Sequence, residues 1–218
     1  MTIDDALLSA LAAEAGSAVV SDACDLLGIR TVTADLQLRR LSSGPPLVGF
    51  ARPVRVVDVE AAPERPYGQE IDFIDSLSHR QVPVISAPTT RAACWGELFS
   101  TAAKGRGANG AVVDGAVRDS RRIDSLGWPV FTRGVRPADS LGRVSMTAPD
   151  QPVEIGGLVV HTGDLVIADD DGLTVVPSAI WAQVAQLALE KARTETSARE
   201  LLLGGATLRQ AWERFRVL

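Results

Sequence analysis

Cysteine, lysine, histidine and aromatic residues are all scarce in this sequence, and each shortage removes a class of function. Cys24 and Cys94 are the only cysteines in 218 residues. They allow one bridge at most and their spacing makes no metal knuckle, so a reduced, cytosolic compartment is the simplest expectation. Aromatics amount to 5%, too few for a base-stacking surface. Acidic residues number 27 against 22 basic, for a formal net charge of −5 and a pI near 5.1. Such a chain has no bulk attraction for a phosphate backbone, and no nucleic-acid partner is expected. His79 and His161 stand isolated, and no G-x-S-x-G elbow accompanies them, so a nucleophilic triad is unsupported. No run approaches the length of about 18 apolar residues needed to span a bilayer, and no membrane partner is expected. The N-terminus, MTIDDALLSALAAEAGS, opens on acid and does not read as a secretory signal.

What is present is an ordinary globular composition, 46% hydrophobic and 22% charged, with enough length to bury one large core. No low-complexity linker divides it, and residues 1–218 read as a single domain. Helices are predicted over 4–15 and 17–28, the second capped by Ser17 or Ser21 and carrying Val19, Val20, Ala23, Leu26 and Leu27. The valine-rich stretch 47–60 reads as strand interrupted at Pro53. A helix over 69–79 and a buried strand 82–87 follow. Helices 96–106 and 119–126 then alternate with strands 110–113 and 129–132. Alternation of this kind predicts an α/β fold with a partly parallel central sheet.

From residue 143 short strands at 143–147, 153–155, 158–160, 164–168 and 173–176 are split by glycines. Ser178 is expected to cap a long helix to about Leu203, buried along Ile180, Val184 and Leu187, and Thr207 a last short one. Trp181, Trp212 and Phe215 on these terminal helices suit either a neighbouring subunit or the chain's own core.

The chemistry concentrates in WGELFSTAAKGRGANGAVVDGAVRD, residues 95–119. A strand is predicted to end at Asp114-Gly115, with a sharp turn delivering Arg118 and Asp119 to the start of the next helix. In open α/β sheets ligands collect at such strand ends, and a helix N-terminus offers free amides to a carboxylate. Arg118 can clamp an oxyanion, and Asp119 can hold Mg²⁺ or Mn²⁺, or merely cap its helix. Glu97 begins the preceding helix, where a carboxylate either moves protons or only favours the helix dipole; the amides of Leu98 and Phe99 would face an anion. Asp169-Asp170-Asp171 reads as a turn rather than a Ca²⁺ loop. The string Gly105-x-Gly107-x-x-Gly110 follows a helix and precedes a strand, the reverse of a dinucleotide fingerprint.

Four blocks, VVSDACDLLG (19–28), residues 95–119, LGWPVFTRGVRP (126–137) and HTGDLVIADDDGLTVVP (161–177), give the chain a family likeness. It resembles the RraA-like family, which includes the 4-hydroxy-4-methyl-2-oxoglutarate aldolases. The resemblance implies a layered β/β/α fold like a swivelling domain, assembled as a homotrimer or hexamer with the site between subunits. It implies a divalent-metal-dependent lyase that releases pyruvate from a small 2-oxo acid, with oxaloacetate decarboxylation as a linked activity. Arg118 would bind the keto oxygen, Asp119 the Mg²⁺ or Mn²⁺, and Glu97 a water. Gly96, Leu98 and Phe99 would hold the substrate carboxylate. Glu195 of a neighbour's long helix, about 178–203, would reach the metal shell through water, with Glu190 and Glu200 next in line. The resemblance also admits a non-catalytic regulator of an RNA-processing nuclease. One departure stands out: Arg122 occupies a position usually acidic in the aldolases. With Arg121 it would either alter metal affinity or favour a more anionic substrate.

Overall fold

The structure is a computed structural model that describes residues 4–35, 37–42, 44–88 and 91–217. The chain opens with α1 (Asp5–Glu14) and α2 (Ser17–Leu26). The Asp4 side chain accepts the Leu7 N–H at 3.0 Å and starts α1. No serine caps α2. Ser17 instead donates both its N–H and its hydroxyl, each at 2.6 Å, to the carboxylate of Asp169, 152 residues away. Asp169 also accepts the Asp171 N–H, so the acidic run is indeed a turn. Leu26, expected on the apolar stripe of α2, is 69% exposed because it sits in the last turn, beyond the packed face.

The strands are β1 (Arg39–Arg40), β2 (Leu47–Asp58), β3 (Gln81–Ser86), β4 (Ala93–Trp95), β5 (Ala111–Val117), β6 (Val130–Val135), β7 (Val144–Met146), β8 (Val153–Ile155), β9 (Leu158–Val160), β10 (Leu165–Asp169) and β11 (Gly172–Val176). Nine of them form one mixed sheet in the order β1-β6-β5-β3-β2-β10-β11, with β4 beside β5 and β7 beside β2. Strands β6, β5, β3 and β2 run parallel; β1, β7, β10 and β11 join antiparallel. Strands β8 and β9 make a separate hairpin. Between them lie α3 (Gly68–Asp75), α4 (Glu97–Gly105) and α5 (Ser120–Ser125); α6 (Trp181–Leu203) and α7 (Leu208–Phe215) close the chain. The fold is mixed α/β, with the sheet curled into a half barrel.

Both faces of the central strands are covered, which explains their continuous valine runs. Val113, Val117 and Trp95 pack with Phe73 and Ile123, from α3 and α5. Leu8, Val20, Leu165 and Val184 gather α1, α2 and α6 on β10. Val84, Val112 and Phe131 face Ile155 and Val160 of the β8–β9 hairpin. Each fully buried valine contributes roughly 1.5–3 kcal/mol on an extended-chain reference, an upper bound.

Two predicted breaks are absent. Pro53 does not interrupt β2: its carbonyl accepts the Asp150 N–H on the edge away from β3, between the stretches paired with β10 and β7. A residue there donates nothing to the ladder, so proline costs no hydrogen bond. Asp114-Gly115 is no turn either: β5 continues to Val117. A Cβ at Gly115 would lie 2.7 Å from the Ala87 Cβ and 2.9 Å from its carbonyl oxygen, so this glycine permits close packing within the strand.

The terminal helices divide. Trp181 is buried against Phe50, with ring centroids 5.2 Å apart at 77°, whereas Trp212 is 41% exposed. Ser178 does not cap α6: the helix starts at Trp181, which puts Ile180 at the N-cap, and the Ser178 N–H goes to Asp164. The buried residues of α6 are Trp181, Val184, Ala185, Ala188, Leu189, Ala192 and Ala198; Ile180 and Leu187 only flank them. Thr207 makes a full capping box with Gln210 at α7. Among the described residues no single helix is long and apolar enough to cross a membrane.

Candidate active site

Parallel pairing of β4 with β5 sets Trp95 beside Val117. Each strand then turns straight into a helix, so the two strand-to-helix corners lie side by side. One corner is Gly96, leading into α4; the other is Arg118-Asp119, leading into α5. The Arg118 N–H donates to the Trp95 carbonyl at 2.9 Å and locks the corners together. A Cβ on Gly96 would lie 3.1 Å from Arg118 Cγ and 3.2 Å from Asp119 Oδ2. Glycine is what lets the helix start approach the Arg-Asp pair so closely.

Asp119 has φ 59° and ψ 33°, the left-handed region that aspartate tolerates better than most residues. Its side chain makes no capping bond; its carbonyl accepts from Arg122 and Ile123 while the carboxylate turns aside. That carboxylate is 38% exposed, and its contact with Arg118 Nε is long, 3.4 Å. Capping is therefore not the work of the Asp119 side chain. Arg118 is held instead by Asp139, Nη1 to Oδ1 at 2.8 Å. The Tyr67 hydroxyl donates to the other Asp139 oxygen. Burial pushes the Asp139 carboxyl up, but the Tyr67 bond, the amides of Leu141 and Ser140 and the Arg118 charge outweigh it and hold it below its ordinary value. The same hydrogen bond, aided by burial, raises the Tyr67 phenol.

Glu97, in the first turn of α4, accepts a hydrogen bond from the Thr101 hydroxyl at 2.9 Å. The first bond of that helix runs from Ser100 N–H to Gly96 O, so the amides of Leu98 and Phe99 have no carbonyl partner within the helix. Phe99 lies edge-on to Trp95, whose indole N–H donates to Ser100.

Gly96, Glu97, Leu98, Phe99, Arg118 and Asp119 all line one cavity of about 290 Å³. Tyr67, Ile71, Trp95 and Asp139 complete much of its wall. Glu190, Glu195 and Glu200 do not line it; Glu195 pairs with Lys191 at 2.9 Å, and Lys191 with Asp22 at 3.3 Å. Arg121 and Arg122 also stay outside, on the exposed face of α5 opposite buried Ile123, so they add no cation to this wall. A larger concavity of about 530 Å³, around Asp114 and its ion partner Arg133, contains none of the predicted residues. Sequence reasoning missed Tyr67 and Asp139. Both sit in proline-flanked loops that carry no helical or strand period.

The described residues hold no group of three or more His, Cys, Asp or Glu side chains suited to enclose a metal. Asp119 offers one carboxylate with open lone pairs, and Asp139 offsets the neighbouring guanidinium. That donor set fits Mg²⁺ or Mn²⁺, which keep several waters, and does not fit a dedicated protein cage.

The topology and the cavity define a class: a mixed α/β protein whose ligand cavity is built where two parallel strands pass into helices. Within that class the chain belongs to the RraA-like family, described as Aldolase/RraA, whose pattern matches residues 17–175. A Halalkalibacterium halodurans protein named "Putative 4-hydroxy-4-methyl-2-oxoglutarate aldolase" is 33% identical over 190 residues, covering 83% of this chain and 81% of that one. Protein DlpA of Legionella pneumophila is 30% identical over 200 residues; the match takes in 91% of this chain but only 32% of DlpA. The crystal structure of Streptomyces coelicolor RraAS2, described as an unusual member of the RNase ES inhibitor RraA protein family, superposes with a TM-score of 0.77. It is 28% identical, with 91% of this chain and 98% of that one covered.

Proposed function

We propose that this protein is a divalent-metal-dependent carbon–carbon lyase that releases pyruvate from 4-hydroxy-2-oxo acids and decarboxylates oxaloacetate. One observation carries the reading. Two segments, residues 96–99 and 118–119, bring a guanidinium, a carboxylate that caps no helix and two free helix amides to one cavity. In the cleavage the C4 hydroxyl loses its proton, the C3–C4 bond breaks, and its electron pair moves onto the C2 oxygen. C3 then regains a proton. The barrier is mainly the negative charge gathering on that oxygen, and Arg118 donates to it. The amides of Leu98 and Phe99 hold the C1 carboxylate, helped by the dipole of α4. Glu97 orders the water that carries the proton to or from the reacting carbons.

Asp119 would hold the cation, which when bound supplies Lewis-acid stabilisation of the same oxygen. No lysine lines the cavity to offer a Schiff base, and charge stabilisation at the C2 oxygen takes its place: Lys104 donates to the Leu126 carbonyl, and Lys191 serves Asp22 and Glu195. Oxaloacetate loses CO₂ by the same electron movement, its C3–C4 pair passing to the C2 oxygen. The reading carries with it a homotrimer or hexamer in which a neighbour's α6 faces the cavity.

The test is pyruvate release from oxaloacetate with Mg²⁺ or Mn²⁺, after chelation, and in Asp119→Asn. Turnover should disappear on chelation and fall by about 10²-fold or more in the variant. Undiminished turnover in either case overturns the proposal. Should the wild type bind an RNA-processing nuclease and release no pyruvate, the regulatory reading takes its place.

A further inference from the structure

We propose that Asp139 is the positioning residue for Arg118, and that Tyr67 fixes Asp139 in that task. The inference rests on the reading of Arg118 as the group that meets the negative oxygen. Three observations support it. First, Asp139 is spent on holding: Oδ1 takes Arg118 Nη1 at 2.8 Å, Oδ2 takes the Tyr67 hydroxyl, and the carboxylate also receives the amides of Ser140 and Leu141. With its acceptor capacity committed and its charge opposite a guanidinium, it is neither a base nor a metal ligand.

Second, Arg118 has two carboxylates to choose between. Asp139 makes the close pair, while Asp119 is left at 3.4 Å from Nε. Without Asp139 the guanidinium's remaining anion is Asp119. Closing onto it would take up both the donors meant for substrate and the lone pairs meant for a cation. Asp139 therefore keeps apart two groups whose mutual attraction would silence them.

Third, the anchor is rigid from the far side. Tyr67 is the N-cap residue of α3, at φ 55°, and reaches across a separation of 72 residues to Asp139. Two loops are thereby tied together over the guanidinium.

Tyr67 is the sole tyrosine of the chain, so phenolate absorbance in a pH titration reads this one group, whose shift the Asp139 bond leads, without reference to activity. The wild-type phenol should titrate above the ordinary tyrosine range, and Asp139→Asn should return it toward that range. Oxalate, an analogue of the pyruvate enolate, is the binding probe, measured by calorimetry in Mg²⁺ buffer. Asp139→Asn should weaken oxalate by about 10- to 100-fold, the loss expected for one charged hydrogen bond. Tyr67→Phe, which keeps the carboxylate, should weaken it by about 2- to 10-fold.

Equal oxalate affinity in wild type and Asp139→Asn, no oxalate affinity in the wild type, or a phenol titration unmoved by Asp139→Asn would each overturn the inference. Failure of the lyase reading looks different: oxalate binds and responds to Asp139→Asn, yet oxaloacetate releases no pyruvate. If Asp139→Asn does not fold, Tyr67→Phe decides alone, and wild-type oxalate affinity in that variant refutes the role of the anchor.

Discussion

Serine in place of Gly96 should separate stability from binding at a single atom. Gly96 is the N-cap of α4, with φ −157° and ψ −173°, extended backbone that any residue adopts. It makes no side-chain cap, so α4 begins with its amides bare. Serine ranks a few tenths of a kcal/mol above glycine at an N-cap, and alanine falls about 1 kcal/mol below serine. Gly96→Ser should thus melt within about 2 °C of the wild type, and Gly96→Ala about 1–3 °C below the wild type. Activity should run the other way. Either Cβ would sit 3.1 Å from Arg118 Cγ and 3.2 Å from Asp119 Oδ2, pushing both by tenths of an ångström. The serine hydroxyl would in addition accept from the amides of Leu98 or Phe99 and compete with a substrate carboxylate. Gly96→Ala should lose about 10-fold in kcat/KM and Gly96→Ser about 100-fold, the latter with the larger rise in KM. The assay is pyruvate formation from oxaloacetate coupled to NADH oxidation, beside a thermal melt. Wild-type kcat/KM in Gly96→Ser, or losses that follow the order of melting temperatures, would refute the reasoning.

Two further outcomes concern the scaffold. Ser100→Ala leaves the buried Trp95 indole N–H without its 2.8 Å partner and should cost about 1–3 kcal/mol. Urea unfolding with an unchanged m-value checks this. Asp150 is held below its ordinary value chiefly by hydrogen bonds from Arg52, against burial. A depressed carboxyl adds stability above its unfolded value and loses it as pH falls through the folded one. The site is partly exposed and screened, so Asp150→Asn should cost no more than about 1 kcal/mol at neutral pH. That difference should close as the pH drops below about 4, seen by denaturant titration at several pH values. A gap that widens in acid contradicts the assignment.

Elements with a clear period or a local cap were legible: α1 from its leucines, α7 from Thr207, the β8 and β9 strands from the glycines between them. Misreadings arose where a residue's usual punctuation was overruled by distant packing. Asp114-Gly115 looks like the end of a strand and a turn into the next helix, yet Gly115 is there because Ala87, just past the end of β3, leaves no room for a Cβ. Pro53 looks like a break, yet it sits where β2 needs no donor. The cap of α2 comes from Asp169, which no local window contains. The cavity was half legible for the same reason. Its two corners carry helix-start signals within one contiguous block, whereas Tyr67 and Asp139 meet only through the fold. The two-residue β1 and three-residue β4 are too short to show any alternation.

The left-handed backbone at Asp119 has an evolutionary consequence. Glycine and asparagine settle there most easily, while β-branched side chains are the most strained. Random replacement at this codon should consequently yield a graded series: Asn and Gly variants that are sturdy but inert, and bulkier ones that are inert and about 1–2 kcal/mol less stable. Lineages released from selection for turnover would drift into the first group, keeping the architecture as a platform for other uses.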